Sequence, residues 1–183
     1  VTGYGLHINF EDFPHPVLKH ELAHVLTSEW HSFLPISLKL GLHEGIAVAA
    51  EWDSGDLDPH QWARAMHDLN IAPSIRKIMG LGFWLQSGSS SYTVAGSFVR
   101  FLVETYGIEK FKHVFPTGNF EKIYHKSLAT LNQEWQAFLD KIVLTDRDLR
   151  VAEYRFKHPS IFQEHCAHEV ADLSTKAWAA YSR

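Results

Sequence analysis

The chain has a single cysteine, Cys166, among its 183 residues. No internal disulfide is available to it, and cysteine usage leaves its redox compartment open. Basic residues are also short: 17 Lys and Arg stand against 21 Asp and Glu, a formal charge of −4, and they form no cluster. Nucleic acid is therefore excluded as an expected partner, because its phosphates demand a basic face. No apolar run approaches the roughly 18 residues that a bilayer-crossing helix needs, so no membrane span is expected. Strand-like alternation is confined to GLHINF, Gly5 to Phe10, and there is no internal repeat or low-complexity linker. An initiator Met and a charged-then-apolar signal segment are both missing at Val1. With the last helical stretch reaching Arg183 without a stop signal, the expectation is a processed or excised piece of a longer protein.

What is present is apolar content of 45%, enough for one substantial core but short for two. A single domain over residues 1–183 is expected. Helix punctuation recurs along it. Pro16 to Trp30 looks helical, with proline where a first turn tolerates it, and after a loop around FLPISLKLG a second helix covers Leu42 to Trp52. Asp58 and Pro59 form an N-cap and first-turn pair for a helix to about Asn70, and Ser74 opens a short turn that Gly80 ends. The irregular LGFWLQSGSSS precedes a helix from Tyr92 to Tyr106, with Gly107 as its stop. Short helices follow. Thr130 with Gln133 suggests a capping box for a helix to about Val143, and Ser160 with Gln163 another for the final helix. Trp62, Phe98, Phe101, Trp135 and Phe138 read as core aromatics. The fold class expected is mainly α with minimal strand.

The chemistry concentrates in Leu18 to Leu26, LKHELAHVL. On a helix, residues four apart stand one turn above each other, so His20 and His24 can aim their rings at one point, with Glu21 slightly around the helix. HExxH alone is a modest signal, because roughly 6% of shuffled chains of this composition would contain it. A third ligand strengthens it, since catalytic zinc keeps three protein ligands and an open position. LHEGIAVAAEW supplies Glu44 on what reads as the first turn of the next helix, after nineteen intervening residues. Gly45 and Ala47 suit a close helix-helix approach. Glu51, two turns beyond Glu44, is placed to accept the outer N–H of a ligand histidine.

HELAH followed by HEGIA resembles the gluzincin metallopeptidases, the thermolysin and aminopeptidase N group. There, two helices carry HExxH and an NEGxA-like segment. YTVAGSFVRFLVETYG is similar to a later helix of that group and of peptidase MA-like domains, and the resemblance covers about residues 5 to 115. It implies a zincin-like catalytic domain, chiefly the helical lower lobe, with one zinc ion on His20, His24 and Glu44. Glu21 would be the general base, Tyr92 the oxyanion donor and Glu51 a partner of a ligand histidine; the substrate would be a peptide or protein. Two departures stand out. VTGY, where the aminopeptidases carry an amine-binding acid, has none, and few residues precede HELAH to build the cleft's upper sheet. A zinc-binding interaction module without catalysis, or a zinc hydrolase of another substrate, remains open.

Other residues have plainer readings. His43, beside Glu44, reads as a helix-start histidine with a local hydrogen bond. His31 lies too near a helix end to compete as a ligand. His165, Cys166 and His168 read as one buried thiol with two surface histidines, and Arg100 as solvated or paired.

Overall fold

Side-chain caps start some of the helices, and apolar side chains packed between them hold the architecture together. The computed structural model describes residues 18–30, 40–52, 55–80, 83 and 88–157. Among these the chain is mainly helical and contains no strand. The elements are α1 (Leu18–Thr27, continued by a 3₁₀ turn over Ser28–Trp30), α2 (Leu40–Glu51), α3 (Pro59–Asp68), α4 (Ile75–Ile78) and α5 (Ser89–Tyr106). They are followed by α6 (Ile108–Val114), α7 (Phe120–Tyr124), α8 (Leu128–Leu139) and α9 (Asp146–Lys157). The GLHINF strand, the final helix, His31, His165, Cys166 and His168 lie outside the described residues.

The caps work where the sequence has short oxygen-bearing side chains. Asp58 accepts from the Gln61 backbone N–H and Gln61 returns a bond to the Asp58 N–H, a complete capping box that starts α3 with Pro59 in its first turn. Four boundaries, in three helices, differ from expectation. α8 begins at Leu128 because Ser127, not Thr130, caps it by accepting from the Thr130 N–H, and it ends at Leu139, short of Val143. α5 begins at Ser89, a turn before Tyr92. Ser91 and Thr93 are buried, and the Thr93 hydroxyl donates back to the Ser89 carbonyl at 2.8 Å. α2 starts at Leu40, so Glu44 sits in its second turn.

α2 and α5 are the axis of the packing and share its most extensive helix-helix contact. Every α2 residue from Leu40 to Ala47 is buried, as a helix covered on all sides requires. Contact this close depends on two glycines. A Cβ on Gly45 would lie 2.6 Å from Val99 Cγ2 and 2.9 Å from the Ala95 carbonyl oxygen; one on Gly96 would lie 2.2 Å from Val48 Cγ1. Gly45 thus serves the crossing with α5, while α1 packs elsewhere on α2. Around α5 the core gathers Trp62, Phe98, Phe101 and Trp135, with Phe138 partly buried against it. Burial of each such aromatic makes its truncation to alanine cost about 3–5 kcal/mol.

Candidate metal centre

Polar side chains face each other where α1 and α2 meet. His20 and His24, one turn apart on α1, turn their Nε2 atoms toward one carboxylate oxygen of Glu44, a residue only 2% exposed. Glu44 Oε2 lies 3.3 Å from His20 Nε2 and 3.5 Å from His24 Nε2, and one ligand atom from each of the three falls within 4.8 Å of the others. Ligands held tetrahedrally at zinc bond lengths of about 2.0–2.1 Å stand about 3.3–3.4 Å apart. Both carboxylate-to-imidazole separations are therefore edges of the size that a zinc polyhedron needs.

The outer ring nitrogens explain why a cation suits this spot. His20 Nδ1 lies 3.4 Å from Glu51 Oε2. An ionised carboxylate can only accept, so this contact favours the hydrogen on Nδ1 and turns the Nε2 lone pair toward Glu44. Acceptor then faces acceptor, and a positive charge between them resolves the repulsion. With no ion between them the imidazoles can instead take up a proton and donate from Nε2: burial pushes the Glu44 carboxyl up, but those hydrogen bonds from His20 and His24 and their charge outweigh it and bring it to about 2, so the carboxylate stays anionic in either state. Two imidazoles and a buried anionic carboxylate form a donor set that fits a zinc ion.

His43 occupies the remaining outer position. Its Nδ1 lies 3.1 Å from His24 Nδ1, and the two ring planes are 26° apart with centroids at 4.9 Å. The local hydrogen bond expected of a helix-start histidine left out this one, which crosses from the first turn of α2 to α1. That crossing depends on how the helices pack, which spacing does not reveal.

The other singled-out residues fall as follows. Glu21 is half-buried on α1 between the two histidines. Tyr92 is half-buried in the first turn or so of α5, its ring edge-on to Phe83 at 5.2 Å. Arg100 is paired: it bonds Glu104, donates to the Ala49 carbonyl at 3.0 Å and lies 4.6 Å over the Trp52 ring. It thereby holds the end of α2 that carries Glu51. A third buried histidine, His60, has no counterpart in the sequence reading. Its Nδ1 is 2.8 Å from Ser97 Oγ, which also receives Trp135 Nε1–H at 3.1 Å. These partners lie 37 and 38 positions apart, beyond any local pattern.

Compared with protein-family models, with curated proteins and with solved structures, the chain returns no match.

Proposed function

We propose that this chain is a zinc metallopeptidase unit of the gluzincin type, hydrolysing peptide bonds at the α1–α2 centre. The observation that carries the reading is the convergence of both HELAH imidazoles on Glu44 Oε2, at 3.3 and 3.5 Å, with Glu21 left between them and not needed as a ligand. Zinc bound there supplies a Lewis acid that polarises a carbonyl and lowers the pKa of water toward ~7. His20, His24 and Glu44 hold the ion, and Glu51 keeps the His20 ring turned so that its Nε2 faces inward. Glu21 takes the proton of the attacking water and passes it to the leaving amine. Tyr92 donates a hydrogen bond to the oxyanion as it develops on the substrate carbonyl.

Glu21→Gln tests the reading. The variant should keep about one zinc per chain and lose nearly all hydrolysis of a peptide library, because an amide cannot take the water's proton. The assay uses the longest natural form of the protein. Equal cleavage by wild type and variant would sink the mechanism, and zinc binding without any cleavage would favour a zinc-binding module.

A further inference from the structure

The two histidines of the centre have different supports. His20 faces a carboxylate at its outer nitrogen, at 3.4 Å from Glu51, whereas His24 faces another imidazole, at 3.1 Å from His43 Nδ1. Two Nδ1 atoms at that separation share one hydrogen, since lone pair against lone pair or N–H against N–H would repel. If His24 Nε2 binds an ion, it cannot carry a hydrogen, so the His24 hydrogen sits on Nδ1. His43 must then accept with its own Nδ1 and carry its hydrogen on Nε2. The setting of His43 favours one ring orientation. It is 8% exposed in the first turn of α2, its ring plane 26° from that of His24 and tilted against Phe115 with centroids 5.5 Å apart. Being next to Glu44 in sequence, it also ties the ring of one ligand to the backbone of another.

We propose that His43 is a positioning residue of the metal centre: its Nδ1 accepts the Nδ1–H of His24 and holds that ring in the tautomer whose Nε2 lone pair faces Glu44. This rests on the metal centre proposed above but not on peptide hydrolysis. Partners of this kind orient a ligand ring and raise its basicity, and their loss typically costs 10–100-fold in metal affinity.

The test separates the acceptor from the ring. His43→Phe keeps an aromatic ring against His24 and Phe115 but has no acceptor. In His43→Asn, the amide oxygen stands one bond from Cγ, as Nδ1 does, and can accept in its place. Zinc affinity is measured by chelator competition, and cobalt(II) substituted for zinc gives an absorption spectrum that reports ligand geometry. Expected are a 10–100-fold weaker zinc affinity and an altered cobalt spectrum for His43→Phe, and an affinity within about threefold of wild type for His43→Asn. Unchanged affinity in His43→Phe overturns the proposal, and so does equal weakening of both variants, which would assign His43 to packing alone. Should His43→Phe fail to fold, nitrogen NMR of the zinc-loaded wild type decides. A His43 ring protonated at Nε2, with Nδ1 left to accept, supports the proposal, and one protonated at Nδ1 refutes it. A folded wild type that binds no zinc would bring down the metal centre itself, a failure distinct from the two variant outcomes.

Discussion

Two buried histidine clusters, one between α1 and α2 and one between α3, α5 and α8, show how differently the same residue is used. On α3, His60 is 6% exposed and held edge-on between Trp52 and Phe138, with ring centroids 4.7 and 4.8 Å away. Trp135 can only donate, so its N–H goes to Ser97 Oγ; the Ser97 hydroxyl is then directed to His60 Nδ1. That chain runs one way and leaves a hydrogen, not a lone pair, on His60 Nε2, 3.9 Å from Glu104 Oε2 and beyond hydrogen-bond reach. Between α1 and α2 the pattern is opposite: with each imidazole's hydrogen on Nδ1, toward Glu51 and His43, both Nε2 lone pairs and Glu44 Oε2 point at one place. Burial alone does not separate a structural histidine from a metal-binding one. The direction of its neighbours' lone pairs does.

The sharpest way to break this contrast is to remove the charge from one side. Glu44→Gln should lose zinc and, on the proposed function, all measurable hydrolysis, whereas Ser97→Ala should still bind about one zinc per chain. In wild type a zinc concentration a hundredfold above its dissociation constant should add about 2.7 kcal/mol of stability, which chelator removes. Metal analysis and calorimetry with and without chelator check both halves; zinc loss in Ser97→Ala would erase the distinction. Next in size is Tyr92→Phe, which should keep zinc and reduce turnover on the order of 10²-fold, as loss of an oxyanion donor does. Unchanged turnover would remove Tyr92 from the mechanism and leave Phe83 packing as its role.

On the structural side, Ser97→Ala should cost about 1–3 kcal/mol in urea unfolding, because Trp135 Nε1–H loses its acceptor and His60 Nδ1 its donor in a buried site. An unchanged midpoint would show that water replaces the hydroxyl. The smallest effect is in pH. Burial holds His60 below its ordinary 6.5, with Arg100 acting the same way and Asp58 and Glu104 opposing. The folded state therefore resists a proton that the unfolded chain accepts. Stability from this group is complete above about pH 6.5 and declines as pH falls below it, by at most about 1.4 kcal/mol per unit. His60→Asn, which still offers Ser97 an acceptor, should lack that part of the slope. Parallel slopes for wild type and variant between pH 7.5 and 5.5 would contradict it (endpoints chosen about one unit either side of the ordinary value).

How much of this was legible beforehand follows the range of each interaction. His20, His24 and Glu44 could be brought together on paper because i, i+4 spacing fixes two of them and one following helix carries the third. α3 was equally open, since Asp58, Pro59 and Gln61 spell its cap locally. α9 was missed: Thr145 and Asp148 bond reciprocally at its start, but aspartate replaces the glutamate or glutamine that marks a capping box, and only Ala152 is buried. The Ser127 cap lay three residues before the one chosen. His43 and His60 were out of reach for a different reason, because their partners depend on how α1, α5 and α8 lie against α2 and α3.

The glycine crossing of α2 and α5 also has a mechanical meaning. His43, Glu44 and Glu51 all ride on α2, so turning that helix about its own axis moves all three together. At a side-chain radius of about 5–6 Å, a 10° turn displaces each by about 1 Å. Gly45 against Ala95 and Val99, and Gly96 against Val48, act as detents that set this angle. A methyl group added at either glycine would detune every α2 residue of the centre in one motion, without touching any of them.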